Sequence, residues 1–162
     1  MSKSTFRDFL KRKQINISVQ TYLIDALGAM AFGLFASLLI GTIFATLGDK
    51  THIEIFTTIS TYAKSATGAA LGVSIAYALK APTLVLFSAA TVGIAGNELG
   101  GPVGALVATI IATELGKLVS KETPVDILVT PGITITSGVL ASQFVGPGVS
   151  AFMTAFGNLV KT

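Results

Sequence analysis

The chain has no cysteine, a single histidine (His52) and few charges, with 11 Lys or Arg and 8 Asp or Glu in 162 residues. Without cysteine there is no disulfide, no thiolate metal site and no phosphocysteine intermediate. One histidine supplies neither a metal cluster nor an evident proton relay, so no metal is expected. Charged residues make up 12% of the chain, against about 25% in a soluble domain. Half of the usual solvating surface is therefore missing. The sequence also lacks a Ser-His-Asp set, metal-ligand spacing, a phosphate loop and a dinucleotide fingerprint after a strand. No residue is assigned a catalytic role, and no cofactor is expected.

What the chain has instead is apolar length. Hydrophobic residues make up 51%, and the mean hydropathy is +0.77. From Ala26 to Leu47 no residue ionises, a stretch of about 33 Å as a helix, which crosses a bilayer hydrocarbon core. The net charge of +3 does not point to nucleic acid. Its basic residues sit at the ends of apolar segments rather than in a patch interleaved with aromatics, which is the pattern a lipid bilayer imposes. Lys3, Arg7, Lys11, Arg12 and Lys13 resemble the start of a signal peptide, but the apolar stretch after them exceeds an h-region of about 7–15 residues. It reads as a retained first span.

Two regions follow from this pattern. Residues 1–20 form a basic lead in which Phe6, Phe9 and Leu10 share one helical face, suited to an interfacial helix on an anionic leaflet. A disordered basic tail fits the same composition. Residues 21–162 form the membrane domain, with apolar stretches near 22–47, 66–79, 82–96, 102–116, 125–142 and 147–160. The expected fold is all-α: a polytopic membrane bundle of about six short transmembrane or re-entrant helices. Residues 53–62 either extend the second span or lie along the outer surface. If each stretch crosses once, the N-terminal basic residues, Lys80, Lys117, Lys121 and Lys161 collect on one face. The positive-inside rule makes that face cytoplasmic and the topology N-in/C-in, in a multi-pass membrane protein.

Local signals support these boundaries. Pro82, Pro102, Pro124 and Pro147 each stand just inside the start of an apolar stretch, where proline loses no helical hydrogen bond. Thr123 and Asp126 have the spacing of a capping box. Small residues recur every four positions at Ala29, Gly33, Ser37, Gly41 and Ala45, at Gly68, Gly72 and Ala76, and at Gly100, Gly104, Ala108, Ala112 and Gly116. Such stripes allow helices to approach backbone to backbone in lipid.

Ionisable and amide groups at membrane depth are the candidate sites for a small polar solute. The first is the turn carrying Asn97, Glu98, Gly100 and Gly101. In a re-entrant hairpin these groups sit deep in the bundle beside free backbone N–H groups; in a plain hairpin they form an exposed outer loop. The second is Thr130, Pro131 and Gly132, where proline and glycine inside an apolar stretch expect a bend or break. Carriers use such breaks to bind substrate, although kinks also serve packing alone. Glu114 and Lys117 read as a helical pair, Asp25 as a favourable first-turn charge, and Lys64 as a snorkelling cation.

Four segments together resemble bacterial membrane proteins classed with the enzyme IIC (sugar permease) components of phosphotransferase systems. They are residues 22–41, Ala76 to Pro82 (Ala-Tyr-Ala-Leu-Lys-Ala-Pro), Leu99 to Ala105 (Leu-Gly-Gly-Pro-Val-Gly-Ala) and Gly116 to Asp126 (Gly-Lys-Leu-Val-Ser-Lys-Glu-Thr-Pro-Val-Asp). The resemblance implies a carrier for a sugar-like solute, with phosphorylation done by cytoplasmic phosphoryl-carrier subunits. It covers only the N-terminal half of those longer proteins, which implies either a truncated form or pairing in a homo-oligomer or with a second-half membrane chain. Two rivals stay open: a homodimeric channel or small exporter, and a non-transporting membrane assembly component.

Overall fold

A computed structural model describes residues 3–161. Among the described residues the chain forms helices and no strand: α1 (Lys3–Arg12), α2 (Gln20–Thr51, with π-helical turns at Gln20–Asp25 and Phe35–Leu39), α3 (Glu54–Ser65), α4 (Thr67–Ala78), α5 (Thr83–Val119) and α6 (Asp126–Lys161). The all-α bundle of about six helices is as expected.

Glycines set the packing. Along α2, a Cβ added at Gly33 would meet Ala70 and Ser74, one at Gly41 would meet Ser60 and Lys64, and one at Gly48 would meet Thr57. Those partners descend in number as α2 ascends, so α3 and α4 run back along α2 as one antiparallel arm. The arm is jointed at Ala66, and Phe44 meets Phe56 at 5.8 Å between ring centroids. Residues 53–62 thus extend the second span. Next, α4 packs backbone to backbone on the start of α5, where Gly72 faces Ala89 and Gly68 faces Gly93 and Ile94.

Although α5 is long and apolar enough to cross a membrane once, it turns back on itself. Gly100 (φ −141°, ψ 15°) and Gly101 (φ 67°, ψ −164°) leave helical geometry. A Cβ on Gly96 would lie 2.7 Å from the Ala105 Cα, and one on Gly116 would lie 2.9 Å from a Val85 methyl carbon. Residues 83–99 and 102–119 are therefore antiparallel limbs of a hairpin, about 25 and 27 Å long at the helical rise. The Gly101 dihedrals lie in a region open essentially to glycine alone, which explains a hairpin with a two-residue tip.

One expectation is corrected by α6. It continues through Pro131 and Pro147 without interruption, so the fifth and sixth apolar stretches are one helix. Each proline removes a single N–H, a loss that membrane helices absorb locally. A Cβ on Gly116 would overlap Thr134, one on Gly138 would meet Val92 and Ala112, and one on Gly100 would come within 3.0 Å of the Gly146 Cα. Helix α6 therefore runs antiparallel to the second limb and passes the hairpin tip by 15 residues, about 22 Å. Lys161 lies at the end opposite Lys13, in place of the N-in/C-in arrangement. One end of the bundle keeps the N-terminal basic residues, Lys80, Lys117 and Lys121; it is called the basic end below.

The interior is thin. Ala26, Leu71, Ile75, Leu79, Ala105 and Leu106 form one buried cluster and Val92, Ala108 and Ala112 another. By contrast Phe32, Phe35 and Phe87, together with Phe144, Phe152 and Phe156, stand more than half exposed. Side chains of this kind facing outward over whole helices mark a surface that meets lipid or another chain rather than water.

Candidate functional site

The hairpin of α5 holds Asn97, Glu98, Gly100 and Gly101 together at its tip. Gly100 is buried against Gly146, Asn97 is half-buried and Glu98 is exposed. The depth of the tip follows from register. Gly68 meets Ile94, and Lys64, one turn before Gly68, meets Gly41. One turn beyond Ile94 is Glu98, so the tip stands level with Gly41 of α2. That level is about 22 Å from Ala26 and about 10 Å from Gly48, at 1.5 Å per residue. No residue ionises between Ala26 and Gly48, so Glu98 stands level with the uncharged stretch of α2. A carboxylate at such depth costs about 2.5–3.5 kcal/mol when it faces hydrocarbon. Its exposed position calls for a water-filled cavity or another polypeptide. Lys64, also exposed, stands at the same level.

The second sequence candidate is elsewhere. Thr130 and Gly132 lie 16 and 14 residues from Gly146, about 24 and 21 Å toward the basic end. Thr130 is fully buried, and its hydroxyl donates to Asp126 Oδ1. Gly132 is exposed with nothing near its Cβ position. These two residues are not brought to the tip, and no helix break separates them. The capping box is also replaced: Asp126 accepts the Lys121 N–H at 2.7 Å, while the buried Thr123 hydroxyl has no hydrogen-bond partner.

A polar clasp that pattern alone did not reveal closes the basic end. Lys117 is 2% exposed, and its ammonium donates to Leu79 O at 2.7 Å and Gln14 O at 2.9 Å, while Glu114 Oε1 lies 2.9 Å away. Tyr22 donates to the other oxygen of Glu114 at 2.7 Å. Lys117 and Glu114 together thus tie the connector after α1, α2, the end of α4 and the second limb. The Glu114–Lys117 spacing was visible in the sequence. Tyr22 and Leu79 reach it only through the fold.

Helix α1 is held over the same end. Lys13 donates to Ser120 O at 2.5 Å and pairs with Glu122, with Arg12 3.6 Å from the same carboxylate. The Lys13 hydrogen bond and charge hold Glu122 below the usual carboxylate range. A depressed carboxylate contributes its stability above the unfolded-state pKa and loses it as pH falls through the folded value. Docking of α1 is therefore expected to persist through mildly acidic pH and to loosen only below the ordinary carboxylate range. Limited proteolysis across residues 13–19 as a function of pH measures this, and an onset near neutral pH would contradict the pairing.

Residues 24–162 match the protein family described as Phosphotransferase system, EIIC. The chain belongs to that family. Neither a curated protein nor a solved structure matches the sequence. In this EIIC chain the matched segment covers the hairpin, its tip and α6, whereas α1 and its connector precede it. As an EIIC protein the chain is a membrane protein of sugar transport.

Proposed function

We propose that this EIIC chain is the solute-conducting part, or half, of a sugar carrier, and that the α5 hairpin tip presents Asn97 and Glu98 to the sugar. The observation that carries this reading is an exposed carboxylate at the depth of Gly41, on a turn that only glycines can make. A carboxylate and an amide together accept and donate hydrogen bonds, as a polyhydroxylated ligand requires. Thr130 and Gly132, near the basic end, are not part of this tip site. The positive-inside rule assigns the basic end to the cytoplasm, where phosphoryl-carrier subunits would meet the chain. The outward apolar faces of α2 and α6 favour completion of the cavity by a second copy or a second membrane chain.

Glu98→Gln tests the assignment. In cells that carry the chain with its native partners, uptake of whichever member of a radiolabelled hexose, hexitol and disaccharide panel is transported is expected to fall at least about 100-fold. That loss corresponds to one charge-assisted hydrogen bond and the carboxylate that anchors it, about 3 kcal/mol. Membrane insertion should be unchanged. Uptake at the wild-type rate in this variant would remove Glu98 from the site.

A further inference from the structure

Beneath α1, at the basic end, lies a cleft of about 650 Å³ lined by Arg12, Lys13, Lys80, Lys121 and Glu122, with the clasped Lys117 at its floor. Arg12 and Lys13 share the single carboxylate of Glu122. Lys80 and Lys121 add positive charge, with Asp126, which accepts the Lys121 N–H, as a second acid near Lys121. Lys80 and Ala81 also border an adjacent apolar groove of about 500 Å³ formed with Tyr77, Ala78 and Leu86. Tyr77 is 75% exposed, on the outer side of α4 close to its basic end, where aromatic residues mark a membrane interface.

The backbone supplies an independent sign. Four non-glycine residues among those described have positive φ, and three of them, Gln14, Lys80 and Lys121, line this cleft. Lys80 follows the end of α4 and Lys121 follows the end of α5, positions where glycine is the usual residue because it enters the left-handed region without strain. Strained positions of this kind persist at sites where the side chain has a use. Here both strained residues aim a lysine at one cleft.

We infer that the cleft and groove together bind an anionic phospholipid, with the phosphate among Lys80, Lys121 and Arg12 and one acyl chain along Tyr77 and Leu86. A basic pocket bordered by an apolar groove at membrane-interface level matches a lipid, which carries both parts in one molecule. A soluble phosphate has no use for the groove. The site stands apart from the hairpin tip and does not depend on the solute reading.

Native mass spectrometry of the purified chain with phosphatidylglycerol or phosphatidylcholine at equal concentration tests this directly. The wild type should prefer phosphatidylglycerol, and Lys80→Gly with Lys121→Gly should lose that preference by about 25-fold, at about fivefold for each lysine near an anionic headgroup. Glycine relieves the left-handed strain, so the double variant should unfold in lipid-free detergent at the wild-type temperature or above it. Should that variant not purify, Lys80→Gln with Lys121→Gln is expected to show the same loss. Lys3→Gln with Arg7→Gln, which removes equal charge from α1 outside the cleft, should keep the preference. An unchanged preference in the lysine variants, an equal loss in the α1 variant, or displacement of the lipid by millimolar inorganic phosphate would each overturn the assignment.

Discussion

Gly93→Ala is expected to detach α4 from the hairpin. The added methyl would overlap Gly68 O and lie 2.5 Å from Gly72 N and 2.7 Å from Gly72 Cα. All three are backbone atoms, so no side-chain rotation relieves the clash, and two helices must separate by about an ångström. Overpacking costs about 1–3 kcal/mol where side chains can adjust, and a backbone clash belongs at or above the top of that range. Gly28→Ala and Gly132→Ala are the matched controls. Nothing lies within 4 Å of either Cβ position, and alanine in place of glycine within a helix stabilises by about 0.5–1 kcal/mol. Thermal unfolding in detergent should therefore fall steeply for Gly93→Ala and hold or rise for the controls. Equal behaviour of all three would refute backbone-to-backbone packing as the basis of the bundle.

Lys117→Met should destabilise nearly as much, for an electrostatic reason. Lys117 is almost wholly buried and engages two carbonyl oxygens and the Glu114 carboxylate. Methionine preserves much of the volume but leaves that carboxylate without its counter-charge. Breaking a buried pair from one side costs about 3–5 kcal/mol. Removing both charges in Glu114→Gln with Lys117→Met should recover part of the loss, because the uncompensated ion is then gone. The double-variant cycle also tests whether the clasp positions α1: protease sensitivity of residues 13–19 should rise in Lys117→Met, since Gln14 O loses its donor. A single variant as stable as the wild type would mean that the clasp contributes nothing.

Much of this architecture was legible in the sequence. The uncharged run from Ala26 to Leu47 marked α2, and the small-residue stripes named Gly33, Gly41, Gly68 and Gly72, which face neighbouring backbones. The segment carrying Gly100 and Gly101 reads as a turn, because glycines let the backbone reverse tightly. Misreading began at proline. Pro147 reads as the start of a separate sixth stretch, but a single missing N–H does not end a helix that neighbours support, and Gly146 packs on Leu99. That one difference moved Lys161 to the opposite end. For the same reason Thr130 and Gly132, which share a stretch-level polarity with the tip, sit about four helical turns from it.

The clasp was hidden for a different reason. A Glu-Lys pair three residues apart looks alike on a solvated helix and in a buried network, because local spacing carries no information about burial. Only tertiary packing brings Tyr22 to Glu114, and Leu79 and Gln14 to Lys117, across 92, 38 and 103 positions in the chain. The lysines at positive φ were equally silent, since nothing in composition marks a residue held in the left-handed region.

The most direct measurement places a single cysteine at position 98 in a chain that has no native thiol. In intact membranes, Glu98→Cys should react with a small charged methanethiosulfonate reagent, and the sugar that the wild type transports should slow that reaction. Both results together require water and solute to reach a hairpin tip within the apolar layer. A cysteine inert to charged reagent from either side would place position 98 against lipid. One that reacts as fast as a free thiol, indifferent to sugar, would make the tip a surface loop.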